Sequence, residues 1–158
     1  MQHPSPIDKE YLFQGGVMIT ETDLKGRITY VNRKFVDMSA YNKDELMGLP
    51  HSIMRHPDMP KCLFKNMWEC VSKGEVWKGY VKNLRKDGAY YWVIVYVEQK
   101  KDSEGNHVGY IAARKEVIDQ DLPAIKQRYT EMINLEQAHV QTDKTFINNI
   151  IGAEVGVG

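Results

Sequence analysis

Polar and apolar positions change rhythm several times along the chain. Val17, Met18 and Ile19 lead into Thr22-Asp23-Leu24-Lys25-Gly26, a turn sequence, and then into Arg27-Ile28-Thr29-Tyr30-Val31. Residues 16–31 therefore predict a β-hairpin. Asn32 suits the cap of a short helix over 32–38. Residues 42–48 predict a single helical turn closed by Gly48. The stretch 48–60 holds three prolines in thirteen residues, which excludes a regular helix or a central strand. From Pro60 to Lys73 the period becomes helical. Leu63, Phe64, Met67, Trp68 and Val71 fall on one stripe, with Lys61, Lys65, Glu69 and Lys73 opposite. Gly74 ends it.

Three strands follow, over 76–85, 89–99 and 107–117, joined by Lys86-Asp87-Gly88 and Asp102-Ser103-Glu104-Gly105-Asn106. Parity assigns their faces. Trp77, Gly79, Val81 and Asn83 share one face of the first strand, so an amide stands on an apolar face and needs a buried partner. The second strand is apolar on both faces: Tyr90, Trp92, Ile94 and Tyr96 on one, Tyr91, Val93, Val95 and Val97 on the other. One face belongs to the core; the other requires cover from a flanking helix or a second copy of the chain. Asp121 caps a final helix with Pro123 in its first turn. Leu122, Ile125, Tyr129 and Met132 are spaced like heptad positions, but the repeat fails at Glu136 and His139, so no long coiled coil is expected. Residues 1–15 read as a flexible or loosely helical lead-in, 16–117 as the folded domain, and 118–158 as a helix and tail. The tail, 150–158, reads as flexible or as a boundary cut from something longer. Five strands with short helices on one face make an α+β antiparallel-sheet domain.

Composition narrows the function. The 158 residues fit one domain, 42% hydrophobic and 27% charged, within the range of soluble globular proteins. Lys plus Arg equals Asp plus Glu at 21 each, which argues against a nucleic-acid footprint or a polybasic membrane patch. The longest apolar run, Ala89 to Val97, is too short for a membrane-spanning helix, and no signal-peptide pattern opens the chain. Cys62 and Cys70 lie eight apart in one helical pattern, ~12 Å along the axis, so two reduced thiols are expected. There is no P-loop, G-x-G-x-x-G, metal-spaced Cys/His cluster or nucleophile elbow. The expectation is a non-enzyme without a metal.

Candidate chemistry concentrates in the proline-rich loop. Arg55, His56 and Asp58 precede a helix start, and Arg supplies a planar donor fork suited to phosphate. The same residues also read as a surface salt bridge and helix cap. Trp77 reads as core or as a pocket wall. Asn83 can donate to and accept from a heterocyclic ring, or make an internal backbone bond.

The element order resembles that of the PAS domain. Gly26-Arg27-Ile28-Thr29-Tyr30-Val31-Asn32, Asn42-Lys43-Asp44-Glu45-Leu46-Met47-Gly48, and Lys82-Asn83-Leu84-Arg85-Lys86-Asp87-Gly88 with Tyr91-Trp92 resemble its motifs. The string Pro50-His51-Ser52-Ile53-Met54-Arg55-His56-Pro57-Asp58-Met59-Pro60, with Met67-Trp68 and Lys73-Gly74-Glu75-x-Trp77, resembles a narrower group. That group is the FAD-binding, redox-sensing PAS domains of bacterial aerotaxis and energy-taxis receptors. The resemblance covers roughly 16–117.

It implies an FAD site in which Arg55, His56 and Asp58 hold the polar part of the cofactor and Trp77 and Asn83 lie at the ring. Asn32 and Phe64 match family positions tied to FAD binding, though a helix cap and a core residue explain them equally. Photoactive flavin PAS domains (LOV type) carry a cysteine in a segment that here reads Gly48-Leu49-Pro50-His51-Ser52-Ile53-Met54-Arg55. They also carry a glutamine on the last strand where this chain has Ala112-Ala113-Arg114. A covalent photoadduct is therefore not expected. Signalling would follow the redox and protonation state of the flavin, with Arg114 near the ring favouring an anionic reduced or semiquinone form. The implied setting is the cytoplasm, tied to the inner membrane through a methyl-accepting chemotaxis transducer on a separate chain or in a missing C-terminal region. Two other readings stay open: a haem-binding gas sensor using His51 or His56, and a cofactor-free dimerisation module.

Overall fold

Alternating side chains turn five segments into one sheet. In the computed structural model, residues 3–118, 120 and 122–151 are described, with side chains to residue 138. The order is β1 (Met18–Asp23), β2 (Ile28–Val31), α1 (Arg33–Ser39), α2 (Lys43–Leu46), a 3-10 turn (His51–Met54), α3 (Lys61–Ser72), β3 (Trp77–Leu84), β4 (Tyr90–Lys101), β5 (His107–Glu116) and α4 (Leu122–Ile151). Among the described residues the five strands form one antiparallel sheet in the order β2-β1-β5-β4-β3.

Cross-strand partners share a face. Val95 lies opposite Arg114, Val97 opposite Ala112 and Trp77, and Asn83 opposite Tyr91. Thr20 lies opposite Ala112. This is the inner face, and α1, the 3-10 turn and α3 pack on it. Phe64, Met67 and Val71 of α3 are buried there. Trp68 departs from the expectation: it sits on the same helical stripe but is 43% exposed.

The outer face of β4 is covered by α4. Tyr129 stacks on Trp92 at 6.2 Å between ring centroids, and its hydroxyl donates to the Tyr80 carbonyl at 2.7 Å. Leu122, Ile125 and Met132 pack beside them, so the heptad-like spacing serves this face. The helix continues as 30 residues through Ile151, beyond the expected start of the tail. Its capping residue Asp121 and the remainder of the tail, 152–158, lie outside the described residues.

Glu136 of α4 has a further use. Its carboxylate accepts from the backbone N–H groups of Lys61 at 3.1 Å and Cys62 at 2.8 Å. These are free donors at the α3 N-terminus, where Pro60 offers no side-chain cap. Helix α4 thus holds both the outer face of the sheet and the helix that covers its inner face.

Residues 3–15 form no helix, and part of this lead-in pairs with the sheet. Glu10 pairs with Tyr90 in a parallel bridge, Tyr11 N–H donates to the Tyr90 carbonyl at 2.7 Å, and Tyr90 N–H donates to Lys9. β5 stops opposite Val93, so the backbone groups of Tyr90 are left for another strand-like segment to satisfy.

Candidate functional site

The inner face of the sheet and α3 do not close completely on each other. A cavity of about 270 Å³ remains. Its floor is β-sheet: Thr20 from β1, Trp77, Val81 and Asn83 from β3, Val95 and Val97 from β4, and Ala112 and Arg114 from β5. Its roof is Phe64 and Met67 of α3, and the 3-10 segment adds His51, Met54 and Arg55.

Each polar wall residue has a local cause. The loop after the 3-10 turn docks on the free edge of β3. Arg55 bridges to Asn83, and the His56 N–H donates to the Lys82 carbonyl at 3.3 Å. That docking aims the Arg55 guanidinium over the Phe64 ring, 3.6 Å from its centroid. Gly79 makes room for Trp77. A Cβ at position 79 would lie 2.3 Å from the indole Cη2, so the ring lies along the strand only because no side chain is there. The Trp77 Nε1–H donates to Asn66 Oδ1 at 3.1 Å.

Arg114 is 2% exposed. Its Nη1 donates to Thr20 Oγ1 at 3.1 Å and its Nη2 meets His51 Nε2. Burial pulls the guanidinium down to about 10, so it stays charged at neutral pH. Desolvation, then the Arg114 and Arg55 charges, hold His51 well below its usual range. The imidazole is therefore neutral, with Nε2 accepting from Arg114. Neither Arg55 nor Arg114 is paired with a carboxylate among the described residues. Asn83 is 4% exposed, and its Nδ2 has no hydrogen-bond partner. The Tyr91 hydroxyl opposite is also unpartnered. Burial pushes that hydroxyl up to about 12 against the Arg114 charge and the nearby Asn83 amide, which approaches it without completing a bond. A largely apolar chamber thus holds two uncompensated cations and a free amide donor.

A profile of the PAS fold matches residues 28–114, more than half of the chain. The chain belongs to the PAS-fold family. It is 42% identical over 112 residues to the aerotaxis receptor of Escherichia coli, covering 71% of this chain and 22% of that protein. It is 25% identical over 156 residues to the nitrogen fixation regulatory protein of Klebsiella pneumoniae, covering 99% of this chain and 30% of that one. The chain therefore spans under a third of either relative. The dark-state LOV structure of the blue-light photoreceptor Aureochrome1 superposes with a TM-score of 0.58 at 24% identity, covering 76% of this chain and 85% of that one. That likeness shows the fold.

Within this PAS domain, four of the seven expected site residues line the cavity: Arg55, Phe64, Trp77 and Asn83. Three do not. Asn32 caps α1: its Oδ1 accepts from Phe35 and Ile19 N–H groups at 3.0 Å each, and its Nδ2 donates to Val17 O. All its capacity in these directions is spent on the backbone. His56 is buried against the other side of the loop, edge-on to Tyr90 at 6.0 Å, with Nδ1 accepting from Asp58 N–H. Burial and the Lys82 charge outweigh Asp58 and lower its pKa. Asp58 is exposed, 3.9 Å from Lys82. The expected trio is split because the docked loop alternates: Arg55 points inward and His56 outward. Thr20, which lines the cavity, was not anticipated, although strand parity carries it to the inner face. Neither cysteine lines the cavity.

Proposed function

We propose that this PAS domain binds a flavin, FAD, in the cavity and acts as a redox sensor rather than an enzyme. The observation that carries it is the pairing of an apolar chamber with an orphaned Asn83 donor and an Arg114 cation that has no carboxylate partner among the described residues. Such groups are costly in an empty core and useful in a binding site. They fit a ring system with carbonyl acceptors and a site that gains negative charge on reduction.

When bound, flavin supplies reversible electron-transfer chemistry. The protein's part is orientation and electrostatics. Asn83 Nδ2, which has no partner in the protein, would be the donor for a carbonyl of the ring. Arg114 stabilises negative charge in the chamber, with neutral His51 holding its guanidinium in place. Phe64, Met67, Trp77 and Val95 exclude water, which strengthens that interaction. A change of charge there bears on Arg114 of β5 and on α3 above it. Helix α4 contacts both the sheet and α3, so it is suited to pass the change on. The partner would be a methyl-accepting chemotaxis transducer, by likeness to the aerotaxis receptor. The setting would be the cytoplasm, at the inner membrane. Among the described residues no helix is long and apolar enough to cross a membrane. A haem site is less favoured, since His51 Nε2 is engaged by Arg114 and His56 lies outside the chamber.

The test is the absorption spectrum of the purified protein followed by anaerobic titration with a reductant. Flavin bands that bleach reversibly are expected, with a lower reduction potential in Arg114→Met. A Soret band, or a loaded protein whose potential ignores Arg114, would overturn the proposal.

A further inference from the structure

The rim of the cavity carries an aromatic ledge that the enclosed chamber does not use. Trp68 lines the opening with its indole 43% exposed. Its ring centroid lies 5.0 Å from that of Tyr110, inclined at 74°, and Tyr110 lies 5.0 Å from His107 at 80°. The His107 Nε2 is buried and has no hydrogen-bond partner. Lys25, exposed on the β1–β2 turn, also lines the opening. The side chain that packs least on the apolar stripe of α3 is therefore its largest, and it stands beside the mouth of the site.

The volume makes this arrangement informative. A chamber of about 270 Å³ lies just below the ~300–1,000 Å³ of sites that enclose a whole drug-sized ligand. It can take a tricyclic ring, but the far half of a dinucleotide must lie outside. An exposed indole is a sequence-tolerant surface for a base to stack on, and a lysine lining the same cavity suits a pyrophosphate.

We infer that Trp68, backed by Tyr110, is the shelf for the adenine of a flavin dinucleotide, and that it makes the site select FAD over FMN. The inference rests on the flavin reading above and adds a specificity determinant to it. Asn83 and Arg114 act on the ring that FAD and FMN share, so they cannot discriminate between them. Trp68 reaches only what FAD has beyond FMN.

The test is a titration of the flavin-stripped protein with riboflavin, FMN and FAD, read by quenching of flavin fluorescence, for wild type, Trp68→Ala and Trp68→Phe. Wild type is expected to bind FAD about 5- to 150-fold more tightly than FMN, the range of one base–aromatic stack. Trp68→Ala should erase that ratio while leaving riboflavin and FMN affinity unchanged. Trp68→Phe should keep part of it. Equal FAD and FMN affinity in wild type, or an FAD preference that survives Trp68→Ala, overturns the shelf and leaves the flavin reading standing. Failure of all three flavins to bind wild type overturns both.

Discussion

Replacing Asn83 by leucine separates a structural role from a binding role. The two side chains branch alike at Cγ, and because Asn83 lines the cavity the bulkier leucine methyls have open space to enter when the amide is removed. Asn83 is 4% exposed and its Nδ2 is unpartnered. An unsatisfied buried donor costs about 1–3 kcal/mol. In flavin-stripped protein, Asn83→Leu should therefore be stabilising by about 1 kcal/mol or more, raising Tm by roughly 2–4 °C per kcal/mol for a chain of this size. Flavin binding should move the other way. The ring carbonyl would face an isobutyl group, and the loss of one satisfied hydrogen bond in a dry site predicts a Kd weakened about 5- to 150-fold. The assays are thermal melts of stripped wild-type and variant protein beside a fluorescence titration with flavin. A destabilised apoprotein would mean that the amide supports the fold. Undiminished flavin affinity would mean that it does not touch the ring. Either result refutes the reasoning.

Other expectations follow from the same geometry. Glu136→Gln should loosen α4 from α3, because the carboxylate accepts one amide on each oxygen whereas glutamine has a single acceptor oxygen and its NH2 would face an N–H donor; faster hydrogen exchange at the Lys61 and Cys62 amides would show it. The Glu136 carboxylate loses some solvation, but the bonds from Cys62 and Lys61 more than offset this and lower its pKa. Its contribution is then complete above the ordinary carboxylate range and lost as pH falls through the lowered value, so acid should undock α4 in wild type and change less in Glu136→Gln. Gly79→Ala should expel the Trp77 ring and break its bond to Asn66, visible as a red shift of tryptophan emission with loss of flavin binding. His51, held neutral by burial and by Arg114, makes the unfolded chain the better proton acceptor below pH 6.5. Stability should fall there by up to about 1.4 kcal/mol per pH unit, and a His51→Gln variant should flatten that limb.

The sheet was legible because strand parity is local. The alternation on 89–99 announced two buried faces, and α4 does cover the outer one. Asn83 was legible for the same reason, as an amide out of place on an apolar face. Trp68 was not, because a helical stripe is wider than the surface a neighbour covers, so periodicity cannot separate a core position from a rim. Arg55 and His56 are adjacent in sequence, and only the docking of their loop on the β3 edge decides which faces the cavity. The bond from Glu136 to α3 spans 75 residues, and as a break in a heptad it carried no hint of a partner. The lead-in pairs with Tyr90 through backbone groups, which leave no trace in side-chain pattern, and among its described residues Phe13 alone carries it into the core.

What the cavity holds decides between a flavin sensor and the other readings. The most direct measurement is mass spectrometry of the small molecule released by acid from protein purified under aerobic conditions, quantified against protein concentration. FAD near one equivalent, with Trp68→Ala protein depleted in FAD and able to take up FMN, is the predicted result. Haem, or no released cofactor together with no rise in Tm on adding FAD, would contradict the account.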